Sequence, residues 1–405
     1  MDPESVISFL DEVGSDATVA TAGGRYFGFV TGGALPAATA SSHLAAAWDQ
    51  NTVLDVTSPL AAALESTCAR WLVDILSLPV ETAAGFVTGA TMANFSGLAA
   101  ARHALLKRQG WDVESQGLFG APPITVVVGD EVHVSLLKAL SLLGLGRDRV
   151  IRVPVDGQGR MRPDALPALG DSTIVCIQAG NVNSGAFDPA AEICAAARGT
   201  GAWVHVDGAF GLWAAAAPGR AHLTAGVEQA DSWATDAHKW LNVPYDSGIV
   251  FCRDGSQLRG AMSTSAAYLI EGEKREPSHY TPELSRRARG IEIWAALRSL
   301  GRAGVAELIE RTCQHAARFA QALNEASYEV LNDVALNQVL VSFGDAETTR
   351  RVISEIQAEG TCWCGGTVWQ GHTAARISVS SWATTESDVD RSIAAILRVA
   401  EEHRR

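Results

Sequence analysis

The chain has 405 residues, a formal net charge of −13 at pH 7 and an apolar fraction of 47%. That length suits one large and one small domain around a deep core, and mixed charge at this apolar content describes a folded chain, not a disordered one. The acidic balance argues against nucleic acid or an anionic membrane surface as the main partner.

In chain order, "MDPESVISFL" lacks a basic region ahead of an apolar run, so no signal peptide is expected. No uninterrupted apolar stretch reaches the length of a membrane span, and the cytoplasm is the expected compartment. The first 58 residues contain "GRYFGFVTGGALPAATASS", a Gly/Ala/Ser/Thr-rich segment that reads as irregular. A helix is predicted from about Pro59 to Leu78, with Ser58 as its cap and proline at its first position. "GFVTGATMANFSGLAAARHALLKR" then reads as a short apolar stretch, a Thr-Gly turn and a helix.

From there short β-rich runs, "ITVVVG", "VIRVPV", "TIVCIQ", "AWVHVD", "DSWAT" and "GIVFC", alternate with helical or loop segments as far as about residue 253. Near-continuous apolar strands alternating with helices indicate an α/β fold with a mainly parallel sheet covered on both faces. A polar stretch, "EGEKREPSHYTPELSRR", leads into a long helix ending near "LRSLG". The rest, with strands at "NQVLVSF" and "ARISVSS" and a terminal amphipathic helix, reads as a smaller α+β domain. The expected division is an arm over 1–58, a large domain over 59–300 and a small domain over 301–405. Seven scattered cysteines, an odd number with no CxxC pair, suggest neither a zinc site nor a disulfide framework.

Only four residues are lysine: Lys107, Lys138, Lys239 and Lys274. Three lie in polar or helical surroundings that suit a solvated surface. Lys239, in "DAHKWLNVPYDSG", follows an apolar strand, and a lysine leaving the C-terminal end of a core strand has its amine at the crevice where open α/β sheets bind ligands. Alone, it would be read as a snorkelling side chain at a domain edge. Asp207 ends the strand "WVHVD" and emerges at the same edge. A carboxylate and a lysine on successive strands meet a specific need. Pyridoxal phosphate requires an amine to bind its aldehyde and an acidic partner for its ring nitrogen. "TGATMANFSG", residues 88–97, is a turn opening a helix, whose small residues let backbone N–H groups approach a phosphate; any Thr-Gly turn before a helix looks similar. His133, just after another strand, could stack on a flat ring, although a histidine there would more often cap the helix it precedes.

The order of these features resembles the pyridoxal phosphate-dependent decarboxylases that include aromatic amino acid decarboxylase and glutamate decarboxylase, of fold type I. "HVDGAFG" looks like that family's HVDAA segment and "DAHKW" like its NPHKW segment. "SPLAAALESTCARWLVDILSLP", "GNVNSGAFDP", "LSRRARGIEIWAALRSLG" and "ARISVSSWATTESDVD" carry the likeness across about residues 25–400. The resemblance implies a seven-stranded large domain with a smaller C-terminal α+β domain. It also implies a homodimer with shared active sites and the arm at the subunit interface. By the same resemblance Lys239 binds the cofactor, Asp207 pairs with the pyridine nitrogen, His133 stacks on the ring and Ala209 lies under its other face. Gly89, Ala90 and Thr91 contact the phosphate, with His238 beside it.

Tyr268 falls where the family carries the tyrosine that protonates the substrate after carbon dioxide leaves, and Arg376 matches an arginine that binds a substrate carboxylate. Asp236 replaces the family's asparagine near the phosphate, Ala62 replaces a hydroxyl residue near the pocket, and Asn181 and Val182 replace a threonine pair. The activity implied is α-decarboxylation of an L-amino acid. Another carbon–carbon lyase, aldolase or aminotransferase reaction on an amino acid is the alternative, since the same core residues serve all of them.

Overall fold

A computed structural model of the chain describes residues 1–264 and 274–404. Seven strands form the central sheet: β1 (Ala83–Val87), β2 (Thr125–Gly129), β3 (Ile151–Val153), β4 (Thr173–Gln178), β5 (Trp203–Asp207), β6 (Ser232–Asp236) and β7 (Gly248–Cys252). Their spatial order is β1-β7-β6-β5-β4-β2-β3, and β7 runs antiparallel to both of its neighbours. The pairings of β2 with β3 and β4, of β4 with β5 and of β5 with β6 are parallel. Strands β4 to β7 are buried at every position, as runs without a polar alternation require when both faces are covered. One face, which carries Trp233 of β6, packs on Trp213 and Trp240, the other on the Ala-rich helix Ala90–Arg108. The register sets Gln178 opposite Asp207 and Asp207 opposite Ala234, so the C-terminal ends of β4, β5 and β6 share one edge.

A second, antiparallel sheet holds β8 (Glu329–Val330), β9 (Gln338–Ser342), β10 (Gly365–Trp369) and β11 (His372–Ser378) in the order β10-β11-β9-β8. Its core includes Val352 and Ile356 of the helix Ala346–Glu359 and Ile396 and Val399 of the helix Glu386–Glu402. The latter opens with a reciprocal capping box between Thr385 and Asp388. The long helix Gly290–Glu325 breaks at Gly301, whose φ of 61° only glycine adopts cheaply.

The N-terminal segment departs from its irregular reading. Helices span Pro3–Gly14 and Pro36–Trp48, each with proline in its first turn. The second uses alanine's high helix propensity and buries Ala38 and Ala45, small side chains that admit close approach of neighbouring helices. The first buries none of its residues: Ile7, Phe9, Leu10 and Val13 are all exposed. The helix expected from Pro59 ends at Ile75, and Ser58 does not cap it; its hydroxyl donates to Gln50 Oε1 instead, at 2.9 Å.

Candidate active site

The edge formed by the strand ends gathers most of the residues singled out in the sequence. Lys239 sits three residues beyond β6, and its Nζ lies 2.9 Å from Asp236 Oδ2. Asp236 is buried, and its Oδ1 accepts the backbone N–H of Ala90 at 2.5 Å. The carboxylate therefore occupies part of the N-terminus of the helix Ala90–Arg108, where the first-turn N–H groups have no intrahelical acceptor. This is what replacing the family's asparagine does here: it supplies a counter-ion for Lys239 and takes up the Ala90 donor expected for phosphate.

Gly89, at the cap, is tightly enclosed. A Cβ there would come within 3.1 Å of the His238 ring, and a Cβ on Gly248 would come within 2.4 Å of Gly89 itself. His238 Nδ1 accepts from Ser247 N–H at 3.0 Å, which leaves Nε2 to face Asp236 Oδ1 at 3.5 Å. Burial lowers its pKa, so the ring is neutral at neutral pH. Tyr245 lies over it at 4.4 Å between ring centroids.

Asp207, at the end of β5, accepts from Asn94 Nδ2 at 3.0 Å and from Ala209 N–H at 3.2 Å. Ala209 is only partly buried and lies between the Asp207 turn and β6, its carbonyl accepting Asp236 N–H at 2.9 Å. His133 does cap the helix Val134–Leu142, its Nδ1 lying 2.7 Å from Ser135 Oγ. Burial lowers the pKa of its ring, on which the charges of Asp207, Lys239, Arg376 and Asp236 also act. Arg376, on β11, is largely buried and donates to the carbonyl of Val182 at 3.1 Å. Desolvation lowers its pKa, though a guanidinium stays charged at any ordinary pH. Tyr268 lies outside the described residues.

The neighbouring loops are held in place by side chains. Asn181 Oδ1 accepts the N–H groups of Asn183 and Ser184, and its Nδ2 donates to Glu131 Oε2 at 2.9 Å. Asp188 accepts the N–H groups of Met161 and Gln178, both at 2.7 Å, while burial raises its pKa to about 6.

Several contributors were not singled out in the sequence. Asn242, fully buried at φ 57°, accepts from Gly33 N–H at 2.6 Å and Trp382 N–H at 2.9 Å. Its Nδ2 donates to the carbonyls of Trp240 at 2.9 Å and Ser380 at 3.0 Å. One side chain thus ties together the N-terminal arm, the lysine loop and the segment after β11. Gly32 lies so close to the lysine loop that a Cβ would stand 1.8 Å from the Lys239 carbonyl oxygen. Asn94 and His205 are likewise fully buried beside Asp207. The only sequence hints were a polar residue within an alanine-rich helix and a histidine inside an apolar strand.

The residues present fit pyridoxal phosphate. The site offers an amine on Lys239, an acceptor on Asp207, a flat ring on His133 and a cradle of small residues at a helix N-terminus.

Comparison with known proteins agrees. The family described as "Pyridoxal-dependent decarboxylase conserved domain" matches residues 24–344. Tryptophan decarboxylase 1 of Oryza sativa subsp. japonica is 28% identical over 406 residues, spanning 90% of this chain and 78% of that protein. The aromatic-L-amino-acid decarboxylase of Bacillus atrophaeus is 25% identical, spanning 99% of this chain and 86% of that protein. The fold superposes on the crystal structure of Oryza sativa TDC with PLP and tryptamine, with a TM-score of 0.90 at 24% identity over 100% of this chain and 89% of that one. The chain therefore belongs to the pyridoxal-dependent decarboxylase family and is a pyridoxal phosphate-dependent carboxy-lyase acting on an amino acid.

Proposed function

We propose that the substrate is an aromatic L-amino acid, decarboxylated at its α-carbon by a site built on Lys239, Asp207, His133 and Arg376. The observation that carries the assignment of residues is the placing of the Lys239 amine 2.9 Å from Asp236 at the end of β6, the strand paired with β5, which ends at Asp207. When bound, pyridoxal phosphate supplies an electron sink for the bond that breaks as carbon dioxide leaves.

Lys239 is the residue that would hold the cofactor; arginine could not, since a guanidinium stays protonated and is no nucleophile. Asp207 would accept from the ring nitrogen. His133 and Ala209 would line the two faces of the ring. Gly89, Ala90, Thr91 and His238 would surround the phosphate, with Asp236 sharing the helix N-terminus. Arg376 would orient the substrate carboxylate through its charged N–H groups, and Tyr268 would return a proton to the α-carbon.

The aromatic preference is supported by the names of the two relatives and by a wall of rings. Tyr26 and Phe29 stack on Trp363 at 4.9 and 5.9 Å, in the same arm whose Gly32 abuts the lysine loop. Burial and the nearby Tyr245 phenol raise the pKa of Tyr26, and Tyr245 itself lies tilted over the His238 ring.

The assembly we infer is a homodimer, supported by the exposed apolar side chains of Ile7, Phe9, Leu10 and Val13 on a helix that buries nothing within its own chain. A cytoplasmic setting is supported by seven free, buried cysteines; no described helix is long and apolar enough to cross a membrane.

The test is carbon dioxide release by the cofactor-loaded protein over a panel of L-amino acids. Tryptophan, tyrosine or phenylalanine should give carbon dioxide and amine in equal amounts, and Lys239→Ala and Lys239→Arg should give none while keeping the native far-UV spectrum. Turnover by Lys239→Ala would overturn the assignment of the lysine. Release from acidic or basic amino acids alone would overturn the aromatic preference.

A further inference from the structure

A line of buried hydrogen bonds with a single direction ends at Asp207. Trp203 Nε1–H can only donate, and it donates to Ser232 Oγ at 2.9 Å. Ser232 Oγ makes one other bond, to His205 Nδ1 at 2.7 Å. With the indole proton already accepted, the hydroxyl proton goes to His205, so Nδ1 is the acceptor. Nε2 then carries the ring proton and gives it to Asn94 Oδ1 at 2.8 Å. The Asn94 amide, its oxygen so engaged, turns its Nδ2–H to Asp207 Oδ2 at 3.0 Å. Ser232, His205 and Asn94 are all fully buried, and burial drives the His205 pKa down to about 3, so the ring is neutral and must choose one tautomer. Reversing the line would leave the Ser232 proton without an acceptor in a site closed to water, at a cost typical of a buried unsatisfied group.

A second feature is built around the same ring. Gly97 stands mid-helix in Ala90–Arg108, where glycine is unfavourable relative to alanine. A Cβ at that position would lie 2.7 Å from His205 Cε1 and 2.9 Å from Nδ1. The helix gives up a side chain there and thereby makes room for the imidazole.

We propose that His205, held by Ser232 and linked through Asn94, is a positioning residue of the decarboxylase: the line it completes keeps Asp207 an acceptor aimed at the cofactor's ring nitrogen. None of the three linking residues touches the substrate. They act through the one carboxylate whose lone pairs must stay available, by filling Oδ2 with a donor that cannot reverse. The proposal rests on the reading above that Asp207 partners the ring nitrogen, and the test separates the two.

The first measurement uses the wild-type protein with 15N-labelled histidine, the His205 signals being identified by their loss in His205→Gln. The expected spectrum has Nε2 protonated and Nδ1 unprotonated, with no titration from pH 5 to pH 9. A protonated Nδ1, or a ring that titrates in that range, overturns the proposal.

The second loads the protein with pyridoxal phosphate carrying 15N at its ring nitrogen and follows protonation of that atom with pH. Asn94→Leu removes the donor to Asp207, and Gly97→Ala displaces the imidazole without touching any donor. Each should lower the ring-nitrogen pKa by about one unit, a tenfold shift, as expected for losing a hydrogen bond to a charged group. If Asp207→Asn lowers that pKa but neither of the other variants does, the line is structural only and the proposal is overturned while the Asp207 reading stands. If Asp207→Asn leaves the ring nitrogen protonated, the Asp207 reading itself fails, and the proposal with it.

Discussion

Replacing Asn242 with alanine should remove the joint between the arm, the lysine loop and the small sheet. The side chain uses all of its hydrogen-bonding capacity, two bonds accepted and two donated, between 2.6 and 3.0 Å. Its loss strands the N–H groups of Gly33 and Trp382 and the carbonyls of Trp240 and Ser380, and Asn242 itself is fully buried, so water cannot replace it in place. At about 1 kcal/mol or more for each unsatisfied buried group, the cost is at least about 4 kcal/mol. That is a large share of the roughly 5–15 kcal/mol that holds a typical domain together.

The backbone adds a separable amount. Asn242 has φ 57°, a conformation asparagine tolerates and alanine does not, worth about 1 kcal/mol. Asn242→Gly should therefore be more stable than Asn242→Ala by about that amount, while both lie well below the wild type. Urea unfolding at fixed protein concentration, followed by tryptophan fluorescence, measures both differences. A loss under about 1 kcal/mol in Asn242→Ala, or a glycine variant as stable as the wild type, would show that these bonds do not hold the three segments together.

Gly32→Ala should act on catalysis more than on folding. The new Cβ would sit 1.8 Å from the Lys239 carbonyl oxygen, short of the 3.0 Å that real contacts respect, so the arm or the lysine loop must shift by more than an ångström. A displacement of that size beside a reacting group costs about 100-fold in rate, and a kcat within threefold of wild type would refute the close approach.

Acid should destabilise the wild type through His205. Its folded pKa is lowered to about 3 from an ordinary 6.5, so below pH 6.5 the unfolded chain takes up a proton that the folded one refuses. Stability then falls by about 1.4 kcal/mol per pH unit as pH drops from 6.5 towards 3. Asp188 works in the opposite sense between pH 6 and 3.8, because its raised folded pKa makes the folded chain the better proton acceptor there, but that contribution cancels between wild type and His205→Gln. The stability difference between those two proteins should narrow with falling pH; parallel curves would refute the assignment.

The thiols should be silent in the native state. All seven cysteines are buried, with Cys194 and Cys362 pushed up to about 11 and Cys252 and Cys313 to about 12. A thiol reagent at pH 8 should count seven groups after denaturation and none before it, and fast modification of the native protein would contradict the packing described.

Much of the candidate site's edge was legible in the sequence because its determinants are local. An apolar β-branched run such as "TIVCIQ" or "WVHVD" is a buried strand by composition alone, and a charged residue at its end has nowhere to go but the sheet edge. Lys239 and Asp207 follow from that rule and from the chemistry only an amine and a carboxylate can perform.

What the sequence could not settle depends on residues far apart in the chain. Asn94, His205 and Ser232 look like a stray amide, a strand histidine and a strand serine until the helix Ala90–Arg108 is laid across β5 and β6. Asn242 is one polar residue in a loop until residues some two hundred positions before it and about a hundred and forty after it are brought to its four hydrogen-bonding positions. The arm's second helix was obscured by its Ser/Thr content and is stabilised by close packing of Ala38 and Ala45. Asp236 could be seen as a departure from the family, but its pairing with Lys239 and its hold on Ala90 needed the helix N-terminus and the lysine loop in one place. Periodicity and side-chain chemistry act within a few residues and are written in the sequence; hydrogen-bond partners across the core are chosen only when the elements pack.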